Sequence, residues 1–422
     1  MITHAFKIII NQWRKNIWIA VELFIVLSVL WFTVDFFSVL WLTSRTPAGF
    51  DIKDTYLVAL ALTPQNASNY IKYEEGSDEA GRNFMRLIDR LQTNSKIEAV
   101  CIGLQHYPYC SGYTSSTYNY DSLRVGATIL QTTPEYFDVF RVKSAYGENR
   151  EQLKEAIRDG YIISRTMEEK LFQGGSAKGQ DIYNIGMNGD TTGVRHINAV
   201  VTTMKRQEFL RPNEYIFFPF KESDLMKMDE NTIRQRVSIC IRTQHSNNSK
   251  EMARQLTDEL KGNFEAGNFS LANIMPMSEL REQMMWQFKV YDTIQYGSFF
   301  TAFFLANVFL GILGTFWLRI NKRREEIGVR MALGSSRRRL ISQMHIESMM
   351  LICIAAIPAV VVWINIVMAG LLPDDRFDVT ASRLALNTLF TVGLTVLATS
   401  LATWYPARKA ASIPAAEALR YE

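Results

Sequence analysis

The sequence predicts an α+β membrane protein, with four transmembrane helices and a large extracytoplasmic α+β domain between helices 1 and 2. Three observations lead to this fold class. Four apolar segments each reach the length of about 20 residues that a helix needs to cross a bilayer. A long segment of ordinary polarity separates the first of them from the second. A short, strongly basic segment separates the second from the third, which is typical of a cytoplasmic loop.

The predicted spans cover residues 17–42, 293–318, 346–372 and 384–404. The other predicted segments are a cytoplasmic amphipathic arm (1–16), an extracytoplasmic domain (43–292), a cytoplasmic loop (319–345), a short external loop (373–383) and a cytoplasmic tail (405–422). The first apolar segment is too long for an ordinary cleaved signal peptide, and no small-residue cleavage site follows it. We therefore expect it to be a retained anchor.

The orientation follows from the distribution of charge. Lys and Arg collect in short cytoplasmic loops. The arm contains basic residues and no acid, and the 319–345 loop is dominated by Arg319, Lys322, Arg323, Arg324, Arg330, Arg337, Arg338 and Arg339. The link 373–378 is instead acidic. Both termini and the basic loop are therefore predicted to be cytoplasmic, and the long segment and the acidic link to be outside.

Within the long segment, apolar runs at strand spacing alternate with runs at helix spacing. Strands are predicted over 55–62, 97–104, 160–164, 197–203 and 237–242, and helices over 78–91, 165–172 and 249–262. The order β-α-β, insertion, β-α-β predicts a sheet domain that is split by a second subdomain. The Tyr-rich stretch 105–122 is expected to be a loop or an irregular hairpin, and the amphipathic segment 276–292 a helix that leads into the second span.

Few residues suggest chemistry. The net charge of +4 gives no case for nucleic-acid binding. The five histidines are scattered and no CxxC spacing occurs, so neither a metal site nor a cofactor is expected. Cys101 and Cys110 could close a small disulfide loop in an oxidising compartment, which would leave Cys240 unpaired. No nucleophile elbow, HExxH motif or phosphate-binding loop occurs, so the chain is not expected to be an enzyme or to hydrolyse ATP alone.

Several features have two interpretations. The acids Asp121, Glu135, Asp138, Glu148 and Asp181 could form pairs, but solvated surface acids are the simpler interpretation. The tyrosines Tyr107, Tyr109, Tyr113, Tyr118 and Tyr120 could stack on a ligand or belong to a folded β-surface. In the first span, Glu22 and Asp35 could reach the two interfaces of the membrane or make a polar contact between helices across a dimer.

Two motifs carry a specific resemblance. The basic loop contains Arg-Arg-Glu-Glu-Ile-Gly-Val-Arg-Met-Ala-Leu-Gly-Ser-Ser-Arg-Arg over 323–338, and the tail contains Pro-Ala-Arg-Lys-Ala-Ala-Ser-Ile-Pro-Ala-Ala-Glu-Ala-Leu-Arg over 406–420. Both resemble motifs of the MacB/FtsX-type permeases of ATP-binding-cassette (ABC) transporters. More weakly, 133–140, 162–172 and 179–182 resemble the periplasmic core domain of that family.

The resemblance implies a non-catalytic permease that works with a separate cytoplasmic ABC ATPase subunit, as a homodimer or paired with a homologous permease. It further implies that the 319–345 loop docks on the ATPase through a coupling helix. The implied coupling residues are Arg323, Arg324, Glu326, Ile327, Gly328, Arg330, Ala332, Leu333, Gly334 and Ser335. ATP would be bound by the partner, and work would be done on the periplasmic side, a mode called mechanotransmission.

The expected cargo is a drug, a peptide or a lipid-linked molecule, expelled from the periplasmic side of the inner membrane. A periplasmic adaptor and an outer-membrane channel are further partners that such a role implies, together with membrane lipid. Two other roles stay open at this point. One is an FtsX-like scaffold that controls cell-wall hydrolases, and the other is a Lol-like permease that releases lipoproteins.

Overall fold

The computed structural model describes residues 13–74, 76–104, 106–186, 188–245, 249–322, 329–372 and 376–412. The helices are α1 (Trp13–Arg45), α2 (Glu79–Gln92), α3 (Tyr136–Val139), α4 (Arg150–Asp159), α5 (Arg165–Phe172), α6 (Glu222–Leu225), α7 (Glu230–Arg236), α8 (Ser249–Leu260), α9 (Met277–Gln287), α10 (Val290–Asn321), α11 (Arg337–Met368) and α12 (Ala381–Ser412). The strands are β1 (Thr55–Leu62), β2 (Ile97–Leu104), β3 (Thr114–Tyr120), β4 (Leu123–Thr132), β5 (Tyr161–Ser164), β6 (Asp181–Ile185), β7 (Thr191–Val201), β8 (Met204–Lys205), β9 (Pro212–Asn213), β10 (Tyr215–Pro219), β11 (Val237–Thr243), β12 (Glu265–Ala266) and β13 (Phe269–Pro276).

The chain divides into two compact units. The helical unit comprises Met1–Thr43 and Asp292–Glu422, and the α+β domain comprises Ser44–Tyr291. Among the described residues, four helical segments are long and apolar enough to cross a membrane, namely Asn16–Arg45, Val290–Thr315, Arg337–Met368 and Ala381–Lys409.

The core of the helical unit is formed mainly by α1, α11 and α12. The indole rings of Trp31 and Trp363 are fully buried and stack with their centroids 5.5 Å apart. Leu27 of α1, Ala359 of α11 and Ala402 of α12 are also buried in this core. In contrast, α10 buries only a small part of its apolar surface, so most of its side chains remain available to lipid or to another chain.

The α+β domain consists of an open sheet joined to a closed ring of strands. The open sheet has the order β4-β2-β11-β1-β13-β12. The ring runs β4-β10-β5-β7-β6-β3 and returns to β4, because β10 pairs with both β4 and β5. Strand β4 therefore belongs to both parts. Since β1, α2 and β2 precede the ring in the chain and β11, α8 and β13 follow it, the predicted sheet domain split by an insertion is confirmed.

Each part has its own apolar core. Helices α2 and α8 cover the open sheet with side chains at helical spacing, such as Phe84, Leu87 and Leu256, which are fully buried. The ring encloses Tyr118, Ile163 and Ile182 together with Met167 from α5. A third cluster lies on the opposite side of the central strands and contains Cys101 and Cys240.

Local signals explain several element ends. The side chain of Ser164 accepts a hydrogen bond from the Met167 N–H and so caps α5, as expected for serine at this position. Helix α5 ends where Gln173 takes a left-handed conformation, φ +47°, one residue before the predicted glycine pair. Asn149 and Gln152 form a capping box that begins α4.

Two predictions about segments need correction. The Tyr-rich stretch is more regular than expected, because β3 pairs along its full length with β4 and then with β6. The predicted helix over 276–292 is interrupted, because Lys289 takes a left-handed conformation, φ +52°, between α9 and α10. A left-handed residue cannot continue a right-handed helix, so two helices form instead of one.

Candidate functional site

Between α10 and α11, the described residues of the basic loop include one helical turn with a defined end. Residues 329–332 are helical. The Ser335 N–H donates to the Arg330 carbonyl and the Gly334 N–H to the Met331 carbonyl, both at 3.0 Å. These two bonds form a Schellman motif, which requires a left-handed residue after the helix, and Gly334 supplies it with φ +91°. Ser336 then caps α11 by accepting from the Arg339 N–H.

The turn has an inner and an outer face. On the inner face, Met331 packs against a small apolar cluster built around the buried residues Leu340 of α11 and Ala407 of α12. On the outer face, Val329 and Leu333 are 45% and 81% exposed. Their i, i+4 spacing places them side by side. The turn therefore presents an apolar pair to the surroundings while its other side rests on the ends of two long helices.

The structure describes five of the ten predicted coupling residues. Arg330 and Ser335 are half-buried, and Ala332, Leu333 and Gly334 are exposed. Arg323, Arg324, Glu326, Ile327 and Gly328 lie outside the described residues. The arginines 337–339 at the start of α11 are exposed, so basic groups lie directly after the apolar pair.

The ends of α10 and α12 carry an aromatic and basic cluster. The rings of Trp317 and Tyr405 stack with centroids 5.9 Å apart, and the Lys409 ammonium lies 5.1 Å from the centre of the Trp317 ring. Arg408 lies over Trp404. Tryptophan, tyrosine and basic side chains are enriched where helices leave the hydrocarbon region, so this cluster indicates the membrane interface.

A buried polar network in the helical unit was missed by the sequence analysis. The Arg383 guanidinium of α12 donates two hydrogen bonds to the Asp35 carboxylate of α1, at 2.8 and 2.7 Å. Asn387 donates to the same carboxylate and accepts from Ser38. Asp35 is therefore engaged in a contact between two helices of the same chain, whereas the sequence left open an interfacial position or a contact across a dimer. Glu22 likewise accepts a hydrogen bond from Thr315 of α10, at 2.8 Å.

Helix α12 extends this network as a polar stripe. At every fourth position after Arg383 the side chain is polar and buried, through Asn387, Thr391, Thr395, Thr399 and Thr403. Residues four apart lie on one face of a helix. Small hydroxyl side chains let helices approach closely in a membrane, so the stripe explains how α12 packs into the bundle.

In the α+β domain, the five tyrosines do not form one surface. Tyr118 is buried inside the strand ring, and Tyr120 packs on Phe172 with ring centroids 4.2 Å apart. Tyr109 is buried and donates to Glu208 at 2.7 Å, whereas exposed Tyr113 lies against Arg206. The folded β-surface interpretation therefore fits better than a stacking platform for a ligand.

The predicted bond between Cys101 and Cys110 is absent from the structure, in which both thiols are free. The physical reason is the pairing of β2 with β11, which places Cys101 opposite Cys240 and points it into the core. Cys110 lies outside these strands in the partly exposed stretch before β3. Cys101 therefore lies opposite Cys240, which is distant in the sequence, and not beside Cys110, which is near in the sequence.

The four apolar helices and the inserted α+β domain define a multi-pass membrane protein. Residues 298–415 match the family model described as FtsX-like permease C-terminal. The matched part of the chain includes α11, α12 and most of α10. The resemblance to MacB/FtsX-type permeases that the two motifs predicted is confirmed at this level.

Solved structures that are similar to part of the chain include three domains of transporter or permease proteins. One is the extracellular domain of the noncanonic ABC-type transporter YknZ from Gram-positive bacteria, with 16% identity, 52% of this chain and 100% of that chain covered, and a TM-score of 0.29. Another is the periplasmic region of MacB from Actinobacillus actinomycetemcomitans, with 13% identity, 56% and 94% covered, and a TM-score of 0.32. A permease-protein domain from Porphyromonas gingivalis has 15% identity, 53% and 90% covered, and a TM-score of 0.32. No curated protein matches the chain at a significant level.

Proposed function

We propose that this chain is the permease subunit of a MacB-type ABC transporter. It couples ATP hydrolysis on a separate cytoplasmic ATPase subunit to conformational work on the periplasmic side, and it exports a drug, a peptide or a lipid-linked cargo. The observation that carries the proposal is the helical turn at 329–333, which presents an exposed apolar pair within an FtsX-like permease domain.

The surroundings of the turn support a docking role. An exposed leucine, followed four to six residues later by three exposed arginines, combines an apolar anchor with positive charge, and such a surface suits a partner with an apolar pocket and an acidic rim. The positive-inside rule puts this basic segment in the cytoplasm, where an ATPase would meet it. The α+β domain then lies outside, and both termini lie inside.

The inner face of the turn supports a mechanical role. Because Met331 packs against an apolar cluster that joins α11 to α12, a displacement of the turn by the ATPase would act on both membrane helices through that cluster. The connection from the turn to α11 over Gly334–Ser336 is short and is fixed by the Schellman hydrogen bonds and the Ser336 cap. A displacement of the turn would therefore move the start of α11 with it. The exposed surface of α10 leaves room for a second permease subunit, and a dimer follows the family pattern.

The test is co-purification of an ATPase with the full chain from detergent-solubilised membranes. We expect Leu333→Asp to abolish co-purification and ATPase stimulation, because it replaces the apolar anchor by a charge that must be desolvated on docking. Leu333→Met keeps an apolar side chain of similar volume and should bind as the wild type does. Ile71→Asp is the matched control, since Ile71 is an exposed apolar residue of the α+β domain.

Two results would contradict the proposal. One is that no ATPase accompanies the wild-type chain under conditions in which it remains folded. The other is that Leu333→Asp and Ile71→Asp retain the ATPase equally well. In the first case the α+β domain would become the place to look for partners, as a scaffold for cell-wall hydrolases or as a receptor for a lipoprotein carrier.

A further inference from the structure

Three metal-ligating side chains converge inside the α+β domain, in a place that the proposed coupling does not use. They are Cys101, His106 and Cys240, and one ligand atom from each lies within 4.8 Å of the other two. Their exposed fractions are 0%, 1% and 0%. A buried group of two thiols and an imidazole is unusual, because a simple packing role needs no such combination of soft ligands.

The fold builds this group from three separate segments. Cys101 of β2 is directly opposite Cys240 of β11 in the antiparallel pair. His106 follows the end of β2, and its ring turns back toward the strand that precedes it. Gly103 makes this approach possible, because a Cβ at that position would lie 3.0 Å from His106 Cγ and 2.1 Å from the Gln131 carbonyl oxygen.

The distance between the Cys101 thiol and the His106 imidazole fits metal ligation. Cys101 Sγ and His106 Nε2 are 3.5 Å apart. Zinc–sulfur and zinc–nitrogen bonds of about 2.3 and 2.05 Å at a tetrahedral angle place the two ligand atoms about 3.6 Å apart. A thiol–imidazole hydrogen bond has a similar length, so this pair alone does not distinguish the two. The presence of Cys240 favours metal ligation, since a hydrogen bond between Cys101 and His106 does not require a second thiol beside them.

We propose that Cys101, His106 and Cys240 form a buried site for a thiophilic metal ion, with Zn²⁺ as the ion that charge balance favours. Two thiolates and a neutral imidazole cancel the charge of Zn²⁺, whereas Cu⁺ would leave one negative charge in an apolar core. Both ions accept thiolate and imidazole ligands. Apolar and aromatic side chains surround the site, among them Tyr136 and Met277.

Metal binding would release the protons of both thiols, because only the thiolate form of cysteine is a ligand.

The surroundings also leave room for a hydrogen-bond partner of the second imidazole nitrogen, Nδ1 of His106. The His106 Nδ1 atom is buried and has no hydrogen-bond partner among the described residues. When Nε2 binds a metal, Nδ1 carries the proton and needs an acceptor. A cavity of ≈ 40 Å³ is lined by His106, Tyr107 and Tyr109, among others. This volume holds a water molecule, for which about 10–15 Å³ suffices.

The test uses the full chain in detergent, reduced and stripped of metal by a chelator. Co²⁺ serves as the spectroscopic probe for a Zn²⁺ site. We expect one Co²⁺ per chain with a thiolate-to-cobalt charge-transfer absorption, and Zn²⁺ should displace it. Cys240→Ser and Cys101→Ser should each lose this absorption. Cys110→Ser is the matched control and should keep it, because its thiol is outside the group.

Elemental analysis and native mass spectrometry of the protein as purified identify the ion and do not depend on any variant being folded. One zinc per chain supports the proposal as stated, and one copper supports the site but not the charge-balance argument. The proposal is overturned if the reduced wild type shows no thiolate–cobalt absorption, or if Cys240→Ser retains it. A metal-free chain with Cys101 and Cys240 joined in a disulfide would equally overturn it.

Discussion

The two units of the molecule each bury an arginine, and they satisfy it in different ways. In the helical unit, Arg383 is 5% exposed and forms a bidentate ion pair with Asp35. In the α+β domain, Arg242 is 1% exposed and donates to three backbone carbonyls, those of Val139 at 2.6 Å, Lys53 at 2.8 Å and Asp51 at 2.9 Å. The Asp51 carboxylate is farther away, at 3.5 Å.

The difference follows from where free carbonyl groups exist. In a bundle of membrane helices nearly every carbonyl is used inside its own helix, so a buried cation must find a side-chain acceptor. Among the described residues, the backbone carbonyl that Arg383 reaches is that of Phe377, which precedes α12. The α+β domain has loop carbonyls that no ladder uses, and the five donors of a guanidinium can reach several of them.

The largest effect is expected from breaking the pair in the helical unit. Asp35→Leu leaves Arg383 buried without its counter-charge, which should lower the free energy of unfolding by about 3–5 kcal/mol. The double variant Asp35→Leu with Arg383→Met removes both charges and should recover most of this loss. Unfolding can be followed by tryptophan fluorescence, because seven of the eight tryptophans, all except Trp286, belong to the helical unit.

This comparison between single and double variants also decides what the pair is for. Recovery in the double variant means that the charges compensate each other and add little net stability. If the double variant is as unstable as Asp35→Leu, the pair itself stabilises the bundle. Asp35 would then do more than compensate the buried charge of Arg383.

A smaller effect is expected in the α+β domain. Arg242→Met leaves three carbonyls without their donor, and we expect a loss of about 1.5–3 kcal/mol, the range for a hydrogen bond to a charged group. Arg242→Lys should recover only part, because an ammonium group cannot match the planar fork. Circular dichroism of the β-signal on thermal unfolding measures both changes.

Arg82→Met is the control for that experiment, since Arg82 forms an exposed pair with Asp78 four residues earlier on the chain. Its removal should cost only about 0.3–0.5 kcal/mol. Equal losses for Arg82→Met and Arg242→Met would show that burial of Arg242 contributes nothing, and that carbonyl compensation is not the reason this arginine is tolerated in the core.

Features set by neighbouring residues could be predicted from the sequence. Strands β1 and β2 have the predicted ends, and α5 begins after the predicted strand and ends at the predicted position. The basic loop was assigned as the candidate coupling site from its motif, and Gly334 has the left-handed conformation that ends a helical turn there. Each of these depends on apolar spacing, caps or a glycine within a few residues.

Features set by distant pairing could not be predicted. Asp35 and Arg383 are 348 residues apart in the chain, and nothing in a single sequence indicates which acid meets which base. The Cys101–Cys240 contact depends on the register between β2 and β11, and a shift by one residue would point one thiol to the other face of the sheet. The expectation of no metal site depended on the spacing of Cys and His along the sequence. A group that is brought together only by strand pairing does not produce such a spacing.

The smallest effect is expected for an ion pair at the surface, which provides a scale for the two buried arginines. The Lys178 ammonium donates to the Glu148 carboxylate at 2.8 Å, and the Lys178 side chain is 52% exposed. Burial opposes ionisation of Glu148, but hydrogen bonds from Lys178 and Ser144 outweigh it and lower its pKa below the ordinary value of 4.5.

A lowered folded-state pKa contributes stability that is fully present above 4.5 and is lost as the pH falls through the folded-state value. The difference in melting temperature between wild type and Glu148→Gln should therefore be largest at neutral pH, where it corresponds to less than about 1 kcal/mol, and should shrink toward zero in acid. A difference that grows on acidification would mean that Glu148 is stabilised in its protonated form, and the pair would then not serve as the solvent-screened reference for Arg242 and Arg383.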